Sequence, residues 1–253
     1  MTVKDGTTKN IEEGFDHFGE YTIDKNIDKR FGNDTLIMFK AGQNKYGYQR
    51  LHDQQLLVEK FIVSEETLTL GVVPVAPIYT PEMIASHVML KLTTPLVLEP
   101  KSSTDAYLTM PIEIGIVRAM EDHSEVIDAF SVGKQLYAIY GTPEEGLLCR
   151  YHLTRLSSEP PKISPYEEAF VRVHFFNYTD KIATVNKIVF PVKGADFYYS
   201  DKDAYFSDLE IIIQSKLLST FAEVDLSEGH EFVGRKASLK QDYEGKFVME
   251  WGF

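Results

Sequence analysis

Aspartates and aromatic rings are interleaved from Asp196 to Asp208, read as DFYYSDKDAYFSD. Asp201, Asp203 and Asp208 offer the hard oxygen ligands that calcium takes, and Tyr198, Tyr199, Tyr205 and Phe206 offer flat faces on which a sugar or aromatic ligand stacks. Their spacing is not that of an EF-hand loop. A hairpin tip whose rings fold back onto a sheet accounts for the same residues with no ligand at all. Calcium at this loop is the one cofactor the sequence raises; otherwise none is expected.

Elsewhere the reactive residue types are present without the spacing that chemistry needs. Cys149 and His152 lie three apart in Leu147–Leu153, and on a strand that offset sends two side chains to opposite faces. A buried, inert Cys149 is expected. No two of His17, His52, His87, His123, His152, His174 and His230 share a close metal-ligand spacing, and His230-Glu231 lacks the second histidine of a zincin helix. His174 shares a strand face with Arg172 and Phe176, which predicts a structural role at a partly exposed face or a domain junction. Gly42 and Gly47 are separated as in a phosphate loop, but Tyr48 and Gln49 stand where Lys and Ser/Thr are required. There is no G-x-S-x-G elbow, and the adjacent acids Glu144-Glu145 and Glu167-Glu168 read as ordinary surface. No catalytic constellation emerges.

Composition narrows the partners. The chain of 253 residues carries 26 basic and 38 acidic side chains, a formal net charge of −12. That field repels phosphate backbones and anionic headgroups, so neither nucleic acid nor a membrane surface is an expected partner. A single cysteine forms no internal disulfide, which points to the cytosol. The N-terminus lacks the apolar core of a secretory signal, and the longest apolar candidate, Leu70–Tyr79, is short and carries Pro74 and Pro77, so no membrane insertion is expected. Asn33-Asp34-Thr35 and Asn177-Tyr178-Thr179 match the glycosylation sequon, without meaning in a cytoplasmic chain.

Strands must position whatever is functional. From Ala169, residues Val171, Val173 and Phe175 alternate with Arg172, His174 and Phe176; after a polar break at Asn177–Lys181, a second run, Ile182–Phe190, closes on Pro191. The two read as consecutive strands of a β-sandwich. Further strands are predicted within Phe15–Ile23 and Thr35–Lys40, then after a loop over Ala41–Gln49. A hairpin around Ser64-Glu65-Glu66 follows, and Thr80-Pro81-Glu82 reads as the start of one short helix. Three strands broken by prolines are expected from Ser86 to Ile116, with an acidic turn at Glu121–Glu125. Ser157–Lys162, with Pro160-Pro161, is the best linker composition in the chain. The expected layout is all-β: a flexible arm over 1–14, an N-terminal β-rich domain over 15–157, a linker over 158–165, and an immunoglobulin-like sandwich over 166–253.

Several strings together resemble an archaeal protein family whose label is a domain of unknown function. They are Phe18-Gly19-Glu20-Tyr21, the proline-rich Val72–Ala85, Leu108–Gly115, Leu136–Gly141, Gly146–Tyr151, and Arg172–Pro191 with Phe197-Tyr198-Tyr199. The resemblance covers nearly the whole chain and implies no assigned activity and no functional residues. The expected function is therefore a non-enzymatic, soluble β-sandwich module for binding or assembly, with a protein or small-ligand partner. One alternative is a hydrolase or sugar-modifying enzyme whose carboxylates meet only in the fold. The other is a calcium- or carbohydrate-binding sandwich using the 196–208 loop.

Overall fold

A computed structural model describes residues 17–81, 84–119, 124–216, 219–227, 234–237 and 246–253. The arm expected over 1–14, residues 121–123 of the acidic turn, and Glu82 lie outside the described residues. In chain order the strands begin with β1 (Gly19–Thr22), β2 (Ile27–Phe31), β3 (Asp34–Lys40), β4 (Lys45–His52), β5 (Gln55–Val63) and β6 (Thr69–Val75). The middle of the chain forms β7 (His87–Leu98), β8 (Ser103–Pro111), β9 (Glu113–Ala119), β10 (Ser124–Phe130), β11 (Tyr137–Tyr140) and β12 (Leu147–Thr154). Then come β13 (Glu168–Asn177), β14 (Ala183–Pro191), β15 (Phe197–Tyr199), β16 (Ala204–Phe206), β17 (Asp208–Lys216), β18 (Ser219–Ser227), β19 (Arg235–Ala237) and β20 (Phe247–Met249). The protein is all-β among the described residues. Among those residues no helix begins at Thr80, and none is long and apolar enough to cross a membrane.

Two compact units result. One holds Ile23–Leu68, and the other holds Phe18–Thr22 with Thr69–Phe253. The first is an antiparallel meander in the order β2-β3-β4-β5. Asp53 and Gln54, both at positive φ (47° and 67°), make the two-residue turn between β4 and β5, the backbone hand that tight hairpins demand. The loop expected over 41–49 is wrong beyond Asn44, because β4 starts at Lys45. Tyr46 and Tyr48 are buried, and Gly47 lies opposite Phe39, whose ring occupies the space a Cβ would need. The hairpin expected around Ser64–Glu66 also fails: β5 pairs β4, whereas β6 pairs β1 and β9.

Among the described residues, the second unit contains three sheets. One is antiparallel, β1-β6-β9-β10. Another runs β11-β12-β7-β14, with β12 parallel to β7. The largest has eight strands, β19-β15-β16-β13-β17-β18-β20, with β8 on the other side of β13. β13 alternates buried and half-buried as its sequence predicts, with Val171, Val173 and Phe175 in the core. It is paired with β8 along one edge and with β16 and then β17 along the other. Its successor β14 joins β7 in a different sheet, and Pro191 ends it.

The linker expected over 158–165 separates nothing. The β7–β14 and β8–β13 ladders join strands from either side of it, and Tyr107 bridges to Ser157. Nor do strands after residue 166 form a sandwich of their own, since β14 leaves for the sheet of β7 while β13 draws in β8. Proline content at 160–161 reports a turn in the chain, and pairing across it is invisible to composition.

Candidate functional site

The 196–208 stretch is the hairpin β15–β16, closed at its tip by the Ser200 amide donating to the Asp203 carbonyl at 3.0 Å. Its rings are occupied by the protein itself. Tyr198 and Tyr205 stack with centroids 5.0 Å apart and planes 7° from parallel, and Phe170 stacks on Tyr205 at 5.6 Å. Phe206 is buried against Phe197 and Phe190, and Tyr199 against Phe18. The three aspartates take separate places: Asp208 opens β17 beside His174, Asp201 accepts the Phe18 amide through its carbonyl, and Asp203 closes the tip. Among the described residues no group of three or more His, Cys, Asp and Glu side chains is placed to hold a metal ion. Asp201 and Tyr199 do border a recess of about 380 Å³, together with Phe18, Ser200, Gly234 and Arg235.

Two histidines sit in networks that resemble catalytic groups and differ from them in geometry. Neighbouring strands β8, β13 and β17 bring Asp105, Arg172, His174 and Asp208 to one face. His174 Nδ1 lies 2.9 Å from Asp105 and Nε2 lies 3.5 Å from Asp208. Burial works to raise the Asp105 carboxyl, but hydrogen bonds and charge from His174 and Arg172 outweigh it and hold the group below the ordinary carboxylate range. Both ring nitrogens thus face carboxylates, leaving neither for a substrate. His152 has Thr109 Oγ1 at 2.9 Å and Glu168 at 3.4 Å, and both partners approach Nε2. A nucleophile relay needs hydroxyl and acid on opposite nitrogens, so this is a structural cluster. Cys149 is buried as expected, and burial pushes its thiol up to about 12.

The site with unsatisfied chemistry was not anticipated as one. Glu113 opens β9, opposite Val75 of β6, and is wholly buried. The turn after β6 supplies its partners: the Thr80 hydroxyl donates to Oε1 at 2.6 Å and the Tyr79 amide to Oε2 at 3.0 Å. Thr80 is itself held by Gln135, whose Nε2 donates to its hydroxyl at 2.7 Å, and by Tyr137, whose hydroxyl donates to its carbonyl at 3.2 Å. Burial pushes Glu113 up to about 7, against the hydrogen bond from Thr80 and the charge of Arg150.

Arg150 is placed by β12, between Tyr137 of β11 and Val88 of β7. Directly opposite residues of an antiparallel pair share a face, and the guanidinium accordingly lies over the Tyr137 ring, 5.1 Å from its centroid. The side chain is 2% exposed. Nη2 donates to Ser131 Oγ at 3.1 Å, while Nε and Nη1 have no hydrogen-bond partner. Its charge acts on Glu113, yet the two form no ion pair.

What the sequence offered was an acid inside Met110-Pro-Ile-Glu-Ile-Gly-Ile116 and a base inside Leu147-Leu-Cys-Arg-Tyr151. Alternation assigns both to a solvent face, whereas β9 is buried on both sides from Glu113 to Val117 and β12 is buried on both sides at Cys149 and Arg150. An ionisable residue in an otherwise apolar run is the signal that could have located the site.

Compared with known proteins, a family model described as a protein of unknown function (DUF432) matches residues 17–250. No curated protein matches, and no solved structure does.

Proposed function

This chain belongs to that family, and on that premise we propose from its geometry that it is a non-enzymatic, soluble binding module that holds a small ligand at Glu113 and Arg150. One observation carries the reading: a buried guanidinium with two of its three nitrogens unpartnered. Buried polar groups are nearly always hydrogen-bonded, and a buried charge is paired. A side chain that violates both rules beside a second buried ionisable group is held ready for a partner from outside the chain.

A binding role is preferred to hydrolysis because the acid–base pair that glycoside chemistry needs is missing at Glu113. Among the described residues the charge that acts on it is a cation, Arg150, and no carboxyl. Thermal unfolding of the full chain with a panel of small anions and neutral molecules tests the reading. A ligand at about 100 times its dissociation constant adds about 2.7 kcal/mol, a rise of several degrees. That rise is expected with wild-type protein and absent in Arg150→Met. Ligand-induced stabilisation that survives Arg150→Met would place the binding site elsewhere.

A further inference from the structure

A guanidinium stays charged in proteins, and the Arg150 side chain is 2% exposed. Its Nη2 is satisfied by Ser131, and nothing meets Nε or Nη1. Glu113 attracts it without contact, and both oxygens of that carboxyl already accept hydrogen bonds from Thr80 and Tyr79. The open N–H groups therefore call for an acceptor that is not part of this arrangement, and a negatively charged one is held best.

Charge balance then selects the anion. With Glu113 ionised, the pair is neutral, and an entering anion would leave a net negative charge out of contact with water. If Glu113 is protonated, one guanidinium balances one monoanion. A carboxylate suits both partners, since a carboxyl and a carboxylate held together share one proton and cannot both ionise. We propose that the Glu113–Arg150 site takes a small monocarboxylic acid as its anion plus one proton from solvent, the negative charge on Arg150 and the proton held between ligand and Glu113. This rests on the ligand site already inferred. No covalent bond other than that to the transferred proton changes, and starting from ionised Glu113 the net charge of the site is zero before and after.

Among the described residues, three elements present groups to Glu113. The turn after β6 presents the Tyr79 amide and the Thr80 hydroxyl, β12 presents Arg150, and β6 presents Val75. With Glu113 near 7, the empty site is mostly ionised at about pH 8 and mostly protonated at about pH 6.

Isothermal titration of the full chain with acetate and with benzoate, in pairs of buffers of unlike ionisation enthalpy, reads the proton directly. Uptake is expected at roughly 0.9 proton per ligand at about pH 8 and roughly 0.1 at about pH 6. Affinity falls about tenfold per pH unit above the Glu113 value. Glu113→Gln is expected to bind with neither uptake nor pH dependence, and Arg150→Met, checked for a cooperative melt, not to bind. Should Glu113→Gln fail to fold, Thr80→Val removes a donor to the ionised carboxyl and must lower the uptake at about pH 8. Carboxylate binding without proton uptake overturns the proposal and leaves the ligand site standing. So does Arg150-dependent binding of nitrate, chloride or inorganic phosphate in place of carboxylates. No Arg150-dependent binding of any of these probes overturns both.

Discussion

The Thr80 hydroxyl donates to Glu113 Oε1 at 2.6 Å, so a turn that follows one strand fixes the carboxyl that opens another. Burial nevertheless dominates that carboxyl and raises it from 4.5 to about 7.

The folded chain therefore binds the Glu113 proton more tightly than the unfolded chain does. Its contribution to stability is complete below about pH 4.5 and is lost as pH rises through about 7. Across that window the loss is on the order of 3 kcal/mol. Urea unfolding at several pH values should show this slope in wild type and not in Glu113→Gln; equal slopes in the two proteins would refute it.

Arg150→Met should leave the ligand-free protein at least as stable. Exchanging an unpaired buried charge for an apolar chain of similar length is neutral or stabilising, by up to about 1–4 kcal/mol. Chemical denaturation in the absence of small anions measures it. A loss of stability there would mean that the guanidinium is already compensated.

Asn177 holds the β13–β14 connection. Its amide donates to the carbonyls of Leu98, Glu99 and Lys181 at 3.2, 2.9 and 2.9 Å, and its Oδ1 accepts from the Thr179 amide and hydroxyl at 3.0 and 2.8 Å. The sequon match at this position is thus a buried turn with its amide fully engaged. Asn177→Ala strands several buried groups and should cost about 2–4 kcal/mol, read as a lowered denaturation midpoint. Asn177→Asp, which keeps the acceptor and loses the donors, should also be destabilising.

The ends of the 23–68 unit meet: the Ile23 amide donates to the Leu68 carbonyl at 2.9 Å, and Thr22 pairs with Thr69. Replacing residues 24–67 by Asn-Gly should close β1 and β6 as an ordinary hairpin and leave the larger unit folded. Circular dichroism and hydrogen exchange in β9 and β13 check this, and loss of protection in those strands would count against it.

Much of this was written locally. The alternation of Val171, Val173 and Phe175 gave β13, Pro191 marked the end of β14, and the ring-rich 196–208 stretch gave a hairpin whose aromatics fold inward. Pairing was not legible, because it depends on residues far apart. Nothing in Ser64–Glu66 says that β5 and β6 join different sheets, and nothing in Pro160-Pro161 says that β8 will lie beside β13. The Glu113–Arg150 site was missed for the same reason. Its members come from the turn after β6 and from β9, β11 and β12, and only the fold makes them neighbours.

The ladders that cross residues 158–165 also govern how the chain is made. β7 and β8 leave the ribosome long before β14 and β13, their partners, so each waits with an open hydrogen-bonding edge until Ala183–Pro191 and Glu168–Asn177 have followed. Contacts that distant slow the search for the native state. A nascent chain stalled near residue 160 would thus expose the β14-facing edge of β7 and the β13-facing edge of β8, the form in which this protein is most open to chaperones and to aggregation.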